Sequence, residues 1–165
     1  MVLEIGSGGG RWTQYLLGAR EVIAVELNPE FFPYLAERFP EAGARLRFYQ
    51  TSGYELDGVP DRSVDFVFSF GTFVHIEPEG IALYLRSIAR VLRPGGAAVI
   101  HYGDTSKPFF RSAASELVEG FAPMDGPSME ALATASGLTV QAHDKMLLNH
   151  SNLITLINPA PHANP

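Results

Sequence analysis

Val2-Leu3-Glu4-Ile5-Gly6-Ser7-Gly8-Gly9-Gly10 carries an apolar run straight into a segment with four glycines in five positions. The following stretch, RWTQYLLGA (residues 11–19), places Trp12, Tyr15 and Leu16 at spacings of three and four, which predicts a helix. The reading is strand, glycine loop, helix. Glycines allow positive φ and let a ligand approach the backbone with no Cβ in the way. A helix opening behind such a loop offers free N–H groups to an anion. A tight strand–helix turn alone does not need four glycines.

Working outward, EVIAVEL (21–27) is almost wholly apolar, as expected of a parallel strand covered on both faces. It ends at Glu26, 20 residues after Gly6, where doubly wound folds place an acid on a ribose. Asn28 and Pro29 open a helix through Phe39, which Pro40 closes. ARLRFYQ (44–50) and VDFVFSF (64–70) read as strands. A helix from about Pro78 to Leu92 shows an apolar stripe of Ile81, Leu85, Ile88 and Leu92, stopped by RPGG. AAVIHYG (97–103) is the next strand, Pro127 and Ser128 open a last helix that Gly137 ends, and LTVQAHD (138–144) and NLITLI (152–157) are two final strands. Alternating strands and helices predict an α/β fold with a parallel sheet wound on both faces. The last two strands are joined too closely to be parallel neighbours, so that pair must be antiparallel.

The 165 residues suit one domain, with 46% hydrophobic and 18% charged residues, which excludes a disordered chain. The net charge is −6 and no basic block of five occurs, so no nucleic-acid partner is expected. Zero cysteine excludes a disulfide frame, a thiolate zinc site, an iron–sulfur cluster and a cysteine nucleophile. There is neither a basic leader nor a run of 18 apolar residues, so the expectation is a cytoplasmic protein without membrane contact.

A glycine loop and Glu26 together imply a nucleoside-bearing cofactor. A nicotinamide dinucleotide wants GxGxxG, but the third position is Arg11 and the pattern here is GxGxG. Glu4, inside a strand buried on both faces, is costly without a partner. A cationic cofactor end supplies one, whereas a pyrophosphate would be repelled. The cofactor expected is S-adenosylmethionine, with S-adenosylhomocysteine as product.

On Glu4-x-Gly6-x-Gly8-x-Gly10, Glu26, LRPGG and the closing hairpin, the chain resembles the class I S-adenosylmethionine-dependent methyltransferases over roughly residues 2–158. The resemblance implies a doubly wound, mostly parallel seven-stranded sheet of order 3-2-1-4-5-7-6 with strand seven antiparallel. It places Glu4, Gly6, Ser7, Gly8 and Gly10 around the methionyl part, Glu26 on the ribose hydroxyls and Leu27 beside the adenine. Ser52 and Gly53, in Thr51–Leu56, fall on the adenine-binding segment, with Ser52 where Asp or Asn is common. Ser69 and Phe70 open the segment above the reacting methyl. The chain starts inside the first strand, so the helices that usually precede it are missing from this pattern. That omission predicts exposed apolar surface, a homodimer, and residues 104–126 lying over the cleft.

Ser69-Phe70-Gly71-Thr72-Phe73-Val74-His75-Ile76-Glu77-Pro78 is not the Asn/Asp-Pro-Pro-aromatic signature of exocyclic-nitrogen methylation. The acceptor expected is a hydroxyl, or an amine, of a small molecule or saccharide. His75 and His101, each just past a strand, are the candidate bases. His75, His101 and Asp104 could also converge on a metal, but Gly71 stands where an acidic ligand would be wanted, and no metal is expected. His143, Asp144 and His150 read as surface residues, and Phe31, Phe32, Phe109 and Phe110 as packing. The domain spans 1–158, followed by a flexible tail over 159–165. The rival readings are a truncated or non-catalytic domain that binds the same cofactor and, third, an NAD-dependent oxidoreductase.

Overall fold

A computed structural model describes residues 1–111, 120–146 and 148–160. The elements run β1 (Val2–Ile5), α1 (Thr13–Leu16), β2 (Val22–Glu26), α2 (Phe31–Arg38), β3 (Leu46–Gln50), β4 (Val64–Ser69), α3 (Pro78–Val91), β5 (Leu92–Gly103), α4 (Gly126–Ala135), β6 (Thr139–Asp144) and β7 (Ser151–Ile157). They form one seven-stranded sheet of order β3-β2-β1-β4-β5-β7-β6. β7 is antiparallel to both β5 and β6, and the other pairings are parallel.

The central strands are buried on both faces, and this decides where the core lies. Leu3 and Ile5 of β1 join Val64, Val67, Ala98 and Ile100 under α3 and α4. Val22 and Ala24 of β2 face the other way, against Leu35 and Phe39 of α2 and its following turn. The α3 stripe is as read: Ile81, Leu85 and Ile88 are fully buried, with Tyr84 and Val91 beside them. The helix stops at Val91: Leu92 is already extended, with ψ 131°, and Pro94 two residues on cannot continue a helix. Leu92 then pairs with Val64 and Ala97 with Phe66, so residues 93–96 bulge out of the ladder and β5 begins earlier than the AAVIHYG reading. Asn158 donates its side-chain amide to the carbonyls of Ala89 and Leu92, at 3.1 and 2.7 Å, which pairs two acceptors freed at the helix end.

Two expectations fail here. The helix read over residues 11–19 is a single turn, Thr13–Leu16, because Gly18 follows at once and the Leu16 carbonyl closes a turn onto the Ala19 N–H. Of the three residues read as its apolar face, Leu16 packs against the core cluster under β2, while Trp12 and Tyr15 are not part of the core. All three line an apolar hollow of about 290 Å³ with Phe68, and Tyr15 is 73% exposed. His143 is the second correction: its ring is enclosed between Tyr102 and Glu130, bonding the first through Nε2 and the second through Nδ1. Of the segment expected over the cleft, residues 112–119 lie outside the described residues, as do residues 161–165 of the tail.

Gly10 sits at φ 81°, and a Cβ there would lie 2.6 Å from the Phe39 ring and 2.7 Å from Leu35. Gly10→Ala should therefore destabilise the fold by about 1–3 kcal/mol, from overpacking added to an unfavourable φ. Urea unfolding checks this, and an unchanged midpoint would contradict the packing described.

Candidate functional site

The glycine loop is shaped by two kinds of neighbour. At Gly6, φ is 76° and a Cβ would fall 1.8 Å from Thr72 Oγ1, so only glycine fits against the chain leaving β4. The amides of Gly6 and Ser7 both donate to the Val25 carbonyl, at 2.9 and 3.4 Å. Ser69 and Thr72 donate their hydroxyls to the Ile5 carbonyl, at 2.9 and 3.3 Å. The ends of β1, β2 and β4 are thus tied to one loop. Gly8, by contrast, has φ 47° and open space where its Cβ would be. The loop is a cradle whose packed side is protein and whose other side is free.

Glu26, at the end of β2, reaches over this cradle. Its Oε2 accepts the Gly8 N–H at 2.9 Å, and its Oε1 accepts from Leu27 at 2.9 Å and Asn28 at 3.4 Å. A carboxylate has about four acceptor positions, so one remains, on the oxygen turned toward the loop. The helix-terminus site expected behind the glycines is not present, since α1 is one turn long. The Gly8 amide is engaged by a carboxylate rather than left for an anion.

Glu4 is 2% exposed and accepts the Thr13 hydroxyl at 2.5 Å. Burial pushes its pKa up to about 7; the Thr13 bond opposes this and the charge of Glu26 adds to it. Ser7 Oγ, next along the loop, is buried with no hydrogen-bond partner.

A cavity of about 510 Å³ opens at the C-terminal ends of these strands, within the usual range of roughly 300–1,000 Å³ for a small-molecule site. Gly6, Glu26, Leu27, Ser52 and Gly53 meet there, as read from the sequence. Gly71, Thr72, His75, Ile76, Tyr54 and Tyr84 complete its wall. Leu27 is 61% exposed at its rim, an apolar side chain left in solvent. Tyr84 is buried, and burial pushes its pKa up to about 12, so it stays a neutral phenol.

One participant was not anticipated. Glu55 folds back on the 52–54 turn, accepting the Ser52 hydroxyl and, at 3.0 Å each, the amides of Ser52 and Tyr54. The Ser52 hydroxyl bond, chiefly, holds its carboxyl below the usual range. Ser52 is where an acid was wanted, and an acid three residues on has come to it. The pattern Ser52-x-x-Glu55, a hydroxyl with a carboxylate one turn away, is the signal that could have found it.

The two histidines separate cleanly. His75 is exposed, and its Nδ1 lies 2.8 Å from the Gly120 carbonyl. A carbonyl only accepts, so Nδ1 carries the proton; in the neutral ring Nε2 then presents a lone pair. His101 is 4% exposed, with Nδ1 accepting the Gly71 N–H at 3.1 Å and Nε2 donating to Ser151 Oγ at 2.7 Å. Both of its nitrogens are engaged, and burial, helped by His150 and Lys107, pushes its pKa down to about 4. His101 is therefore not placed as a general base. Of the other expected site residues, Ser69 and Phe70 support the wall from behind, and Gly10 packs against α2. Asp104 turns to Ser106 and Asn152, and among the described residues no three His, Asp or Glu side chains cluster for a metal.

A family model described as a methyltransferase domain matches residues 2–96. The chain belongs to the class I S-adenosylmethionine-dependent methyltransferases. The observed strand order is that of the family, and the family cofactor is S-adenosylmethionine. The residues present fit it: an open Gly8, an unpartnered buried hydroxyl at Ser7 and a carboxylate with one acceptor position left. Ribosomal RNA small subunit methyltransferase A of Jannaschia sp. strain CCS1 is 44% identical over 62 residues, covering 36% of this chain and 22% of its own. A Mycobacterium sp. strain JLS protein whose name ascribes O-methyl transfer to it is 33% identical over 108 residues, 61% of this chain and 47% of its own. The chain thus spans less than half the length of these curated relatives. The PH0226 protein of Pyrococcus horikoshii superposes with a TM-score of 0.79 at 20% identity, covering 94% of this methyltransferase chain and 80% of that one, a likeness of fold. Among the described residues no helix is long and apolar enough to cross a membrane.

Glu4 gives the methyltransferase domain a specific pH dependence. Its carboxyl is neutral in both states below its ordinary 4.5; between there and about 7 only the unfolded chain ionises, so stability falls as pH rises. Glu4→Gln removes the titration. The variant should gain on the parent by about 3 kcal/mol between pH 4 and pH 8 in urea unfolding, from the conversion of a pKa difference into energy. A stability difference independent of pH would contradict the burial assigned to Glu4.

Proposed function

We propose that this chain catalyses methyl transfer from S-adenosylmethionine to a hydroxyl, or an amine, of a small molecule or saccharide. Bound, the cofactor supplies a methyl on a sulfonium, so the transfer is a displacement that needs alignment and removal of one proton. Glu26 holds the ribose hydroxyls, exchanging the Gly8 N–H for them on the oxygen turned to the loop. Leu27, Gly53 and Tyr54 form the slot for the adenine, and Ser52, held by Glu55, stands at its edge. Gly6, Ser7 and Gly8 take the methionyl end, with Glu4 beneath them as the anion that a cationic end would draw into its ionised form.

The observation that carries the acceptor side is His75. It lines the same cavity as Glu26, and its tautomer is set by the Gly120 carbonyl with Nε2 as acceptor. A neutral imidazole there can take a proton from a hydroxyl as the methyl arrives, or from the ammonium that methylation of a neutral amine forms. The net charge of −6 favours a small acceptor over a polyanion. The names of the relatives span ribosomal RNA and O-methyl transfer, so an RNA arm belongs in the acceptor screen.

Two variants test these assignments. Glu26→Ala should weaken S-adenosylhomocysteine binding by about 1.5–3 kcal/mol in calorimetry, the range for hydrogen bonds to a charged group. His75→Ala should lower turnover by about a hundredfold with cofactor affinity nearly intact, measured as S-adenosylhomocysteine released with hydroxyl, amine and RNA acceptors. Unchanged binding in the first variant would remove Glu26 from the cofactor site. Cofactor binding with no turnover on any acceptor would favour a non-catalytic binding domain.

A further inference from the structure

We propose that His101 is a positioning residue of this site: its ring, fixed between Gly71, Ser151 and Phe70, sets the turn after β4 on which Thr72 and His75 stand. On the loop side the turn is tied by the Ser69 and Thr72 hydroxyls to the Ile5 carbonyl, and further on Phe73 and Val74 are buried; at Gly71 itself the hold comes from His101. β4 ends at Ser69, and Gly71 follows at φ 84° with no atom within 4 Å of a Cβ built there. The Gly71 N–H is donated to His101 Nδ1 at 3.1 Å, and the Phe70 ring lies flat on the imidazole, with centroids 4.0 Å apart and planes 8° from parallel. On its far side the imidazole is pinned by Ser151, the first residue of β7, through a 2.7 Å bond to Oγ. The rigid sheet thereby reaches, through one side chain, a turn that lines the cavity.

What the turn carries makes this consequential. The Thr72 hydroxyl is the atom that crowds Gly6, and the Thr72 carbonyl accepts the His75 N–H at 3.1 Å. A shift at Gly71 would move the glycine loop's neighbour and the base together. Two hydrogen bonds, one buried and one partly buried, and a ring stack are more than packing needs, and a leucine there would leave the Gly71 amide and the Ser151 hydroxyl without these partners. The groups that face His101 are His150, next to β7, and Lys107, on the loop after β5, and both favour the neutral ring. It therefore holds one tautomer, with the proton on Nε2.

Trp12, the only tryptophan, gives a direct reading of the turn, since it packs on Phe70 with ring centroids 4.7 Å apart. The proposal rests on the preceding functional reading only where turnover is measured; the spectroscopic arms do not depend on it. Nitrogen-15 spectra of the wild-type chain should show His101 with Nδ1 unprotonated and Nε2 protonated, without titration between about pH 5.5 and 9. A titrating His101, or the opposite tautomer, would overturn the proposal whether or not any variant folds. His101→Phe keeps a ring on Phe70 but loses the acceptor, and should change Trp12 emission and lower kcat by about ten- to a hundredfold. Its KM for the cofactor should stay within about threefold of wild type and its pH–rate inflection should not move. His101→Asn, which restores an acceptor near Nδ1, should recover most of the loss. Emission unchanged in His101→Phe, or loss of the inflection itself, would contradict a positioning role. If wild type turns over no acceptor, the functional reading fails, while the tautomer and the emission still decide this one.

Discussion

The backbone of residues 6–10 has to pass between Thr72 on one side and Phe39 and Leu35 on the other, and no Cβ fits at either contact. That steric constraint organises the site. It brings the C-terminal ends of β1, β2 and β4 and the helix α2 to a single loop, while Arg38 of α2 holds the Gly9 carbonyl at 2.6 Å. Gly6 itself lines the cavity, and beyond it, at Gly8 and Gly9, a Cβ would meet nothing within 4 Å. The glycines are thus of two kinds: Gly6 and Gly10 serve the fold, and Gly8 leaves room for a ligand.

Two carboxylates follow from this arrangement and differ through their surroundings. Glu26 stands at a strand end, where backbone N–H groups surround it and the cavity is open beside it. Glu4 lies inside β1, where burial outweighs its one hydroxyl partner and its pKa rises to about 7. The first is suited to hold neutral hydroxyls. The second has a strong reason to accept a cation, because a positive charge nearby offsets the cost of ionising it. A cofactor with a ribose at one end and an ammonium and sulfonium at the other matches both.

Much of this was legible in the sequence, for identifiable reasons. Glycine spacing reports directly on steric room, and the distance from Gly6 to Glu26 is set by one β-α-β unit, so loop and acid could be read, while the strand order came from the family resemblance that these motifs carry. The turn at Thr13–Leu16 could not, because apolar spacing over nine residues does not reveal that Gly18 ends the helix or that Tyr15 turns outward. The histidines show the same limit. His75 and His101 look alike in sequence, each read as just past a strand, yet His101 lies inside β5, where Gly71 and Ser151 engage both of its nitrogens, while Gly120 leaves His75 with a free nitrogen. Their partners are 45, 30 and 50 residues away, and no local pattern encodes them. Glu55 was missed for a milder reason: its partner Ser52 is close, but the direction of a long side chain is decided by packing.

The central claim is that the loop and Glu26 form a site for an adenosyl cofactor with an amino-acid end, not for a dinucleotide. Calorimetric titration of the full chain with S-adenosylhomocysteine, and separately with NAD, tests it most directly. The account predicts one saturable site for S-adenosylhomocysteine and at least a hundredfold weaker interaction with NAD, a difference of about 2.7 kcal/mol. Equal affinities, or heat from NAD alone, would contradict it.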